Sequence, residues 1–279
     1  MEQKTQPDET EKTISRPGCD VHYWVSGNSS KPLIILIHGA CADHRQFDMQ
    51  IPCLIQDYQI VRVDVRGHGL SRPLAGPFSV PDAVEDIVSI LKETGRNNAI
   101  FLGQSNGTYI IQELEFRHPG MVRAMIIVDG TYIFQKLSRA EKLLLKLTPA
   151  IMSLYPYGSL IKSMADGSAV KESTRAYLRE TFGRLSKAEI INIMSGVSGC
   201  VHPEPGYRTG CPLLLIRGEH DKLGNIKAAM KEWSLREPRS KYVVIPDAGH
   251  CSNQDNPEQF NAMMMEFLKG LPELVSYSR

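Results

Sequence analysis

The chain has 279 residues, 42% of them hydrophobic, and a formal net charge of +1 at pH 7. That length suits one large α/β domain with an insertion, and the near-zero charge leaves no electrostatic case for nucleic acid or an acidic membrane surface as a partner. No uninterrupted apolar run approaches the roughly 20 residues that a membrane span needs, and the polar stretch Met1 to Lys12 lacks the apolar centre of a signal peptide, so a cytoplasmic location is expected.

Residues 1–12 read as a mobile tail. Val21–Val25 is an early strand, and Gly27-Asn28-Ser29-Ser30 is a turn. Leu33–Ile37 is an apolar strand that ends in His38-Gly39-Ala40-Cys41, and the next strand runs from Tyr58 to Asp64. From Pro81 to Thr94, Val84, Ile87, Val88 and Leu91 fall at helical spacing, with Asp82 as the expected N-cap and Gly95 as the stop. Asn98–Leu102 is a further strand, Thr108–Leu114 begins a helix, and Ala124–Val128 is the next strand. The apolar runs are continuous, as in parallel strands covered on both faces. Strands alternating with helices point to an open, mostly parallel sheet.

Between about Tyr132 and Arg208 the β runs disappear. Ser138-Arg139-Ala140-Glu141 and Ser186-Lys187-Ala188-Glu189 each resemble a capping box ahead of an apolar run. This segment is a helical insertion. Pro212–Ile216 and Tyr242–Ile245 then return to strand pattern.

The chemistry centres on Gly103-Gln104-Ser105-Asn106-Gly107, set between a strand and a helix. Small residues around Ser105 let the chain turn sharply and expose the hydroxyl, which is the G-x-S-x-G nucleophile elbow. A serine hydroxyl near neutral pH needs a base, and the base needs an orienting group. His250 follows the last strand, and Asp221 follows the strand before it. Asp129, at the end of the Ala124–Val128 strand, competes with Asp221 for the acid role. Attack on a carbonyl also needs donors for the oxyanion. The backbone N–H of Asn106 is one, and that of Ala40 is the second, with Cys41 N–H as its neighbouring alternative.

These motifs, in the order Ser105, Asp221, His250, resemble the α/β-hydrolase superfamily, in the capped branch with a His-Gly oxyanion turn. Asp64-Val65-Arg66-Gly67-His68-Gly69-Leu70-Ser71 is similar to that family's Asp-x-Arg-Gly-x-Gly-x-Ser loop. The similarity covers roughly residues 19–131 and 209–270. Asn106 departs from it, since many relatives carry Met, Leu or Gln there. The resemblance implies a core of residues 13–131 and 209–279, a helical cap of residues 132–208 over the nucleophile, and hydrolysis of a small ester or lactone through an acyl-enzyme. It also implies a structural role for Asp129. A same-fold C–C hydrolase, lyase or acyltransferase and a slow-turnover receptor stay open, because one fold hosts many chemistries.

Tyr155, Tyr157, Met164 and Met194 of the insertion are candidates for the substrate pocket, against the competing reading that they pack cap helices together. Cys41 and Cys251 are candidates too, because they follow the proposed donor and the proposed base. All six cysteines are expected as thiols, since none forms a C-x-x-C pair. His38 is expected to hold the oxyanion turn, Asp64, Arg66 and His68 to tie their loop, and His44 and His220 to lie in loops or on the surface. The histidines lack ligand spacing such as H-E-x-x-H, and no G-x-G-x-x-G follows an early strand, so neither a metal nor a nucleotide cofactor is expected. Oligomeric state is not encoded in these motifs.

Overall fold

The computed structural model describes residues 9–272. Eight strands form one sheet in the order β1-β2-β4-β3-β5-β6-β7-β8. They are β1 (Glu9–Arg16), β2 (Cys19–Ser26), β3 (Leu33–Ile37), β4 (Gln59–Val63), β5 (Ala99–Gln104), β6 (Val122–Val128), β7 (Leu213–Gly218) and β8 (Lys241–Ile245). From β4 to β8 every neighbouring pair is parallel, while β1–β2 and β2–β4 are antiparallel.

The continuous apolar runs behave as parallel strands with both faces covered. Ile35 and Ile37 point to one face, with Phe101, Met125, Ile127 and Leu215. Ile34 and Leu36 point to the other, with Ile100, Leu102, Ile126 and Leu214. The period-2 alternation of a strand thus divides one apolar run between two cores. Helices α2 (Val80–Glu93), α3 (Asn106–Arg117) and α8 (Ile226–Arg236) pack on the first face. On the second lie the short α1 (Ile51–Leu54) and α10 (Pro257–Lys269), while the four-residue α9 (Ser252–Asp255) leads into α10.

Four helices fill the stretch between β6 and β7: α4 (Arg139–Leu154), α5 (Tyr157–Ser168), α6 (Glu172–Gly183) and α7 (Lys187–Ser198). Both expected capping boxes form, Ser138 with Glu141 at α4 and Ser186 with Glu189 at α7. The insertion has its own apolar cluster, including Met152, Leu160, Leu178, Phe182 and Ile193, which reaches Cys41 and Cys251 of the core. Its flanks belong elsewhere. Tyr132, Ile133 and Phe134 are buried in the sheet's first core, with Tyr207 packed against them. The helical unit is therefore narrower than residues 132–208.

Two further expectations are corrected. Residues 9–12, read as tail, are in β1, paired from Glu9 with Ser26 to Arg16 with Cys19; residues 1–8 lie outside the described residues. The N-cap of α2 is Ser79, whose hydroxyl accepts from Asp82 N–H. Asp82 is instead an acidic residue of the first turn, where the helix dipole favours it. Among the described residues, no helix is long and apolar enough to cross a membrane.

Candidate active site

Ser105 stands between the end of β5 and the start of α3, with φ 48° and ψ −113°. A non-glycine residue with positive φ is strained by about 1–3 kcal/mol, so its surroundings must impose it. Ser105 N–H donates to Val128 O at 2.9 Å, and Ser105 O accepts from Thr108 N–H at 2.9 Å and from Thr108 Oγ1 at 2.7 Å. Glycines make the corner possible. A Cβ on Gly107 would strike the backbone of Ile37 and His38, and one on Gly103 would strike Gly107.

His250 Nδ1 lies 3.0 Å from Asp221 Oδ2, and both side chains are buried. A carboxylate only accepts, so Nδ1 carries the proton and the neutral ring has its lone pair on Nε2. Burial opposes the imidazolium, but the hydrogen bond to Asp221 and the charges of Asp221 and Asp129 outweigh it, so the His250 pKa is raised. Asp221 is held in turn by Leu223 N–H, which donates to its other oxygen at 2.9 Å. Gln104, the residue before Ser105, donates from Nε2 to His250 O at 2.6 Å and ties the histidine's backbone to the serine's strand. Among the described residues, no hydrogen bond joins Ser105 Oγ to His250 in this conformation.

Asp129 does not meet His250. It accepts from Gly218 N–H at 2.7 Å, Ser252 N–H at 3.0 Å and Ser252 Oγ at 2.6 Å. It therefore joins the end of β6 to β7 and to the chain just past His250. Complete burial, and then the Asp221 carboxylate, push its pKa up to about 7.

The turn after β3 faces the serine. His38 donates from Nδ1 to Gly39 O at 2.7 Å, and Val65 N–H donates to His38 Nε2 at 3.0 Å. Accepting a backbone N–H leaves Nε2 unprotonated, so His38 is neutral, and burial lowers its pKa accordingly. Gly39 N–H donates to Gln46 Oε1 at 2.8 Å, and Ala42 N–H donates to Gly39 O at 3.2 Å. Among the described residues, the N–H groups of Ala40, Cys41 and Asn106 have no acceptor. Asn106 is fully buried, and neither polar atom of its side chain has a hydrogen-bond partner among those residues. Asp64 accepts from His44 N–H, His44 Nδ1 and Leu70 N–H, and Arg66 grips Asp86 through two bonds of 2.6 Å. His44, expected in a loop or on the surface, is stacked on Trp24 with ring centroids 3.5 Å apart.

A cavity of about 320 Å³ opens on this constellation. Ala40, Gln46, Gln104, Ser105, His250 and Cys251 contribute from the core, and Met164, Leu178, Phe182 and Met194 from the insertion. Met164, Met194 and Cys251 thus lie where a pocket role requires. Tyr155 and Tyr157 do not: they are 46% and 39% exposed, and the Tyr157 hydroxyl is spent on Gly183 O and Leu185 O. Cys41 is buried in the apolar cluster beneath the insertion, outside the lining. Burial pushes its thiol up to about 12 and raises that of Cys251 well above the usual range, so neither competes with Ser105 as a thiolate. Phe182, one of the insertion's apolar residues from which a pocket wall was expected, lines the cavity, and so do Gln46, Leu178 and Leu223 of α8's approach, which no motif marked. Glu219, His220 and Asp247 offer ligand atoms within 4.8 Å of one another, but all three are exposed, as acidic groups without an ion commonly are.

A mostly parallel sheet with a strained serine between strand and helix is a hydrolase architecture. Residues 32–257 match the alpha/beta hydrolase fold family, and the chain belongs to it. It is 24% identical over 264 residues to 2-(acetamidomethylene)succinate hydrolase of Mesorhizobium japonicum, spanning 84% of this chain and 87% of that protein. It is also 24% identical over 279 residues to epoxide hydrolase 3 of Xenopus tropicalis, spanning 90% and 75%. Among solved structures, the enol-lactonase of Burkholderia xenovorans LB400 superposes with a TM-score of 0.80 at 20% identity, covering 92% of this chain and 100% of its own. At that identity the structural likeness is one of fold. The hydrolase relatives support an enzyme of the α/β-hydrolase type.

Proposed function

We propose that this protein is a serine hydrolase that cleaves a small carboxylic ester or lactone through an acyl-enzyme. One observation carries the reading: strained Ser105 and Asp221-paired His250 open onto the same largely apolar cavity, next to backbone N–H groups that lack acceptors. A volume of about 320 Å³ is at the small end for ligand pockets, which favours a small substrate. The enol-lactonase among its structural likenesses acts on a lactone, as its name states.

Ser105 Oγ attacks the carbonyl carbon while His250 Nε2 takes the hydroxyl proton. The oxyanion is held by the N–H groups of Asn106 and Ala40, which are fixed before the reaction and cost no reorganisation. His250 then gives its proton to the departing alcohol oxygen, and the ester or lactone C–O bond breaks. A water, deprotonated by the same nitrogen, attacks the acyl-enzyme and releases the acid and free Ser105. Asp221 keeps the proton on Nδ1 and stabilises the imidazolium. The Ser105–His250 hydrogen bond forms as substrate seats, since such contacts tighten in the Michaelis complex. Helices α5 to α7 act as the cap, with Met164, Leu178, Phe182 and Met194 meeting the part of the substrate away from the carbonyl.

Labelling with a fluorophosphonate probe tests this directly. A single adduct is expected on Ser105 by peptide mapping, and Ser105→Ala is expected to abolish it and to lower kcat on nitrophenyl esters by about 10⁴-fold or more. Labelling that persists in Ser105→Ala overturns the assignment.

A further inference from the structure

A second groove is larger than the one at Ser105. It has a volume of about 560 Å³ and lies where the chain enters β7 and where α8 hands over to β8. These are the N-terminal ends of two parallel strands. The proposed triad follows their C-terminal ends, so the two openings are on opposite edges of the sheet.

Three arginines line the groove: Arg208, Arg236 and Arg239. Among the described residues, none of them has a carboxylate within salt-bridge distance. Arg208 donates to the carbonyl of Tyr207 at 2.9 Å, and the Arg236 guanidinium lies 4.7 Å from the centroid of the Tyr132 ring. The one carboxylate in the lining, Glu237, accepts from Thr209 N–H at 2.9 Å. Two hydroxyls of the same lining, Thr209 Oγ1 and Ser240 Oγ, are buried with no partner among the described residues, and Thr209 as a whole is only 8% exposed. A buried hydroxyl without a partner is costly, and here two of them share a groove with three guanidinium groups that form no ion pair among the described residues.

We propose that this groove is a second binding site, for a small phosphate monoester. Guanidinium forks match phosphate oxygens in pairs, and a tetrahedral phosphate accepts more hydrogen bonds than a carboxylate, which suits three forks and two hydroxyls. The volume exceeds what free phosphate fills, and Pro212, Leu213 and Pro238 supply apolar wall for the organic part. Occupancy of this groove does not depend on what Ser105 does.

Isothermal titration of the full-length protein with phenyl phosphate and, separately, inorganic phosphate in chloride buffer of fixed ionic strength tests the proposal, with benzoate as the control. Saturable binding of phenyl phosphate is expected, with weaker binding of inorganic phosphate and none of benzoate. Arg208→Ala and Arg239→Ala, both at exposed positions, are each expected to weaken phenyl phosphate by about 10- to 100-fold, the worth of one charge-assisted contact. Thr209→Val, which removes only the orphaned hydroxyl, is expected to weaken it as well. A circular dichroism melt matching the parent checks that each variant is folded. Absence of saturable binding overturns the proposal and leaves the arginines as counter-charges to the C-terminal carbonyls of α8. Binding that the arginine variants leave unchanged overturns it equally, because the anion then sits elsewhere. Inorganic phosphate binding as tightly as phenyl phosphate rejects the monoester in favour of the free ion.

Discussion

Replacing Asp129 by Asn separates two carboxylates that the sequence alone leaves in competition. Asp129 accepts three hydrogen bonds on two oxygens, one set from Gly218 and the other from Ser252. An asparagine has one acceptor oxygen. Turned toward Ser252, it leaves Gly218 N–H facing an NH₂ group; turned toward Gly218, it leaves Ser252 N–H so placed. Either way one buried backbone N–H loses its acceptor, at a cost of about 1–3 kcal/mol. For a chain of this size that lowers Tm by roughly 2–12 °C. The Asp221–His250 pair is untouched, so the fluorophosphonate labelling rate is expected to fall less than about tenfold, whereas Asp221→Asn lowers it by several orders of magnitude. The stability loss also depends on pH. Burial and Asp221 raise the folded pKa of Asp129 to about 7, well above the roughly 3.9 of an unfolded aspartate. A raised carboxyl contributes stability that is complete below the unfolded pKa and is lost as pH rises through the folded one. The asparagine variant lacks that loss, so its deficit in a urea melt is smaller at pH 8 than at pH 5. Should Asp129→Asn lose activity by orders of magnitude with an unchanged melt, while Asp221→Asn stays near the parent, Asp129 is the orienting acid and the reasoning fails.

Two other outcomes follow from the site. The base form of His250 is the active one and its pKa is raised, so the labelling rate climbs with pH through a midpoint above the usual 6.5 of histidine. In Asp221→Asn the raising hydrogen bond and charge are gone and burial dominates, so the midpoint moves down; a midpoint that stays put in a stopped-flow pH series argues against the pairing. Met164→Ala and Met194→Ala are expected to shift the kcat/KM ratio of short- to long-chain esters several-fold, within the roughly 1–3 kcal/mol that a lost apolar contact allows. Tyr155→Ala and Tyr157→Ala, outside the cavity, leave that ratio nearly unchanged, and the opposite pattern refutes the lining.

Much of the sheet was legible because parallel strands advertise themselves as unbroken apolar runs, such as Leu33–Ile37 and Leu213–Ile216. Both capping boxes were legible for a similarly local reason, since the hydrogen bonds join residues three apart. β1 was not. Its sequence Glu9–Arg16 is mostly polar and exposed, as an edge strand can be, and only its partner reveals it. The residues by themselves left Asp129 and Asp221 open, because both follow buried strands, and only the family resemblance favoured Asp221. Donors from Gly218 and Ser252, far away in sequence, converge on Asp129 and leave Asp221 to His250. Cavity lining was legible in part, at Met164, Met194 and Cys251 but not at Gln46 or Leu178. Tertiary packing decides that Leu178 and Phe182 look inward while Tyr155 looks out. The arginine groove joins residue 208 to residues 236–239, a juxtaposition with no local signature.

The insertion leaves β6 after Val128 and rejoins the sheet at Leu213, on the strand next door and running the same way. Neighbouring parallel strands must be linked from the end of one to the start of the other, a distance of roughly 20 Å that a single helix ordinarily crosses. The excursion through residues 129–212 satisfies the same end-to-end requirement with far more chain. Loop entropy rises only slowly with length, by about 0.6 kcal/mol per doubling. Segments of quite different size are therefore interchangeable at this junction, provided the core-bound flanks with Tyr132, Ile133, Phe134 and Tyr207 remain to anchor them. A chimera that grafts a relative's segment between these flanks should keep the register of β6 on β7, so what the enzyme accepts is free to diverge while the scaffold stands still.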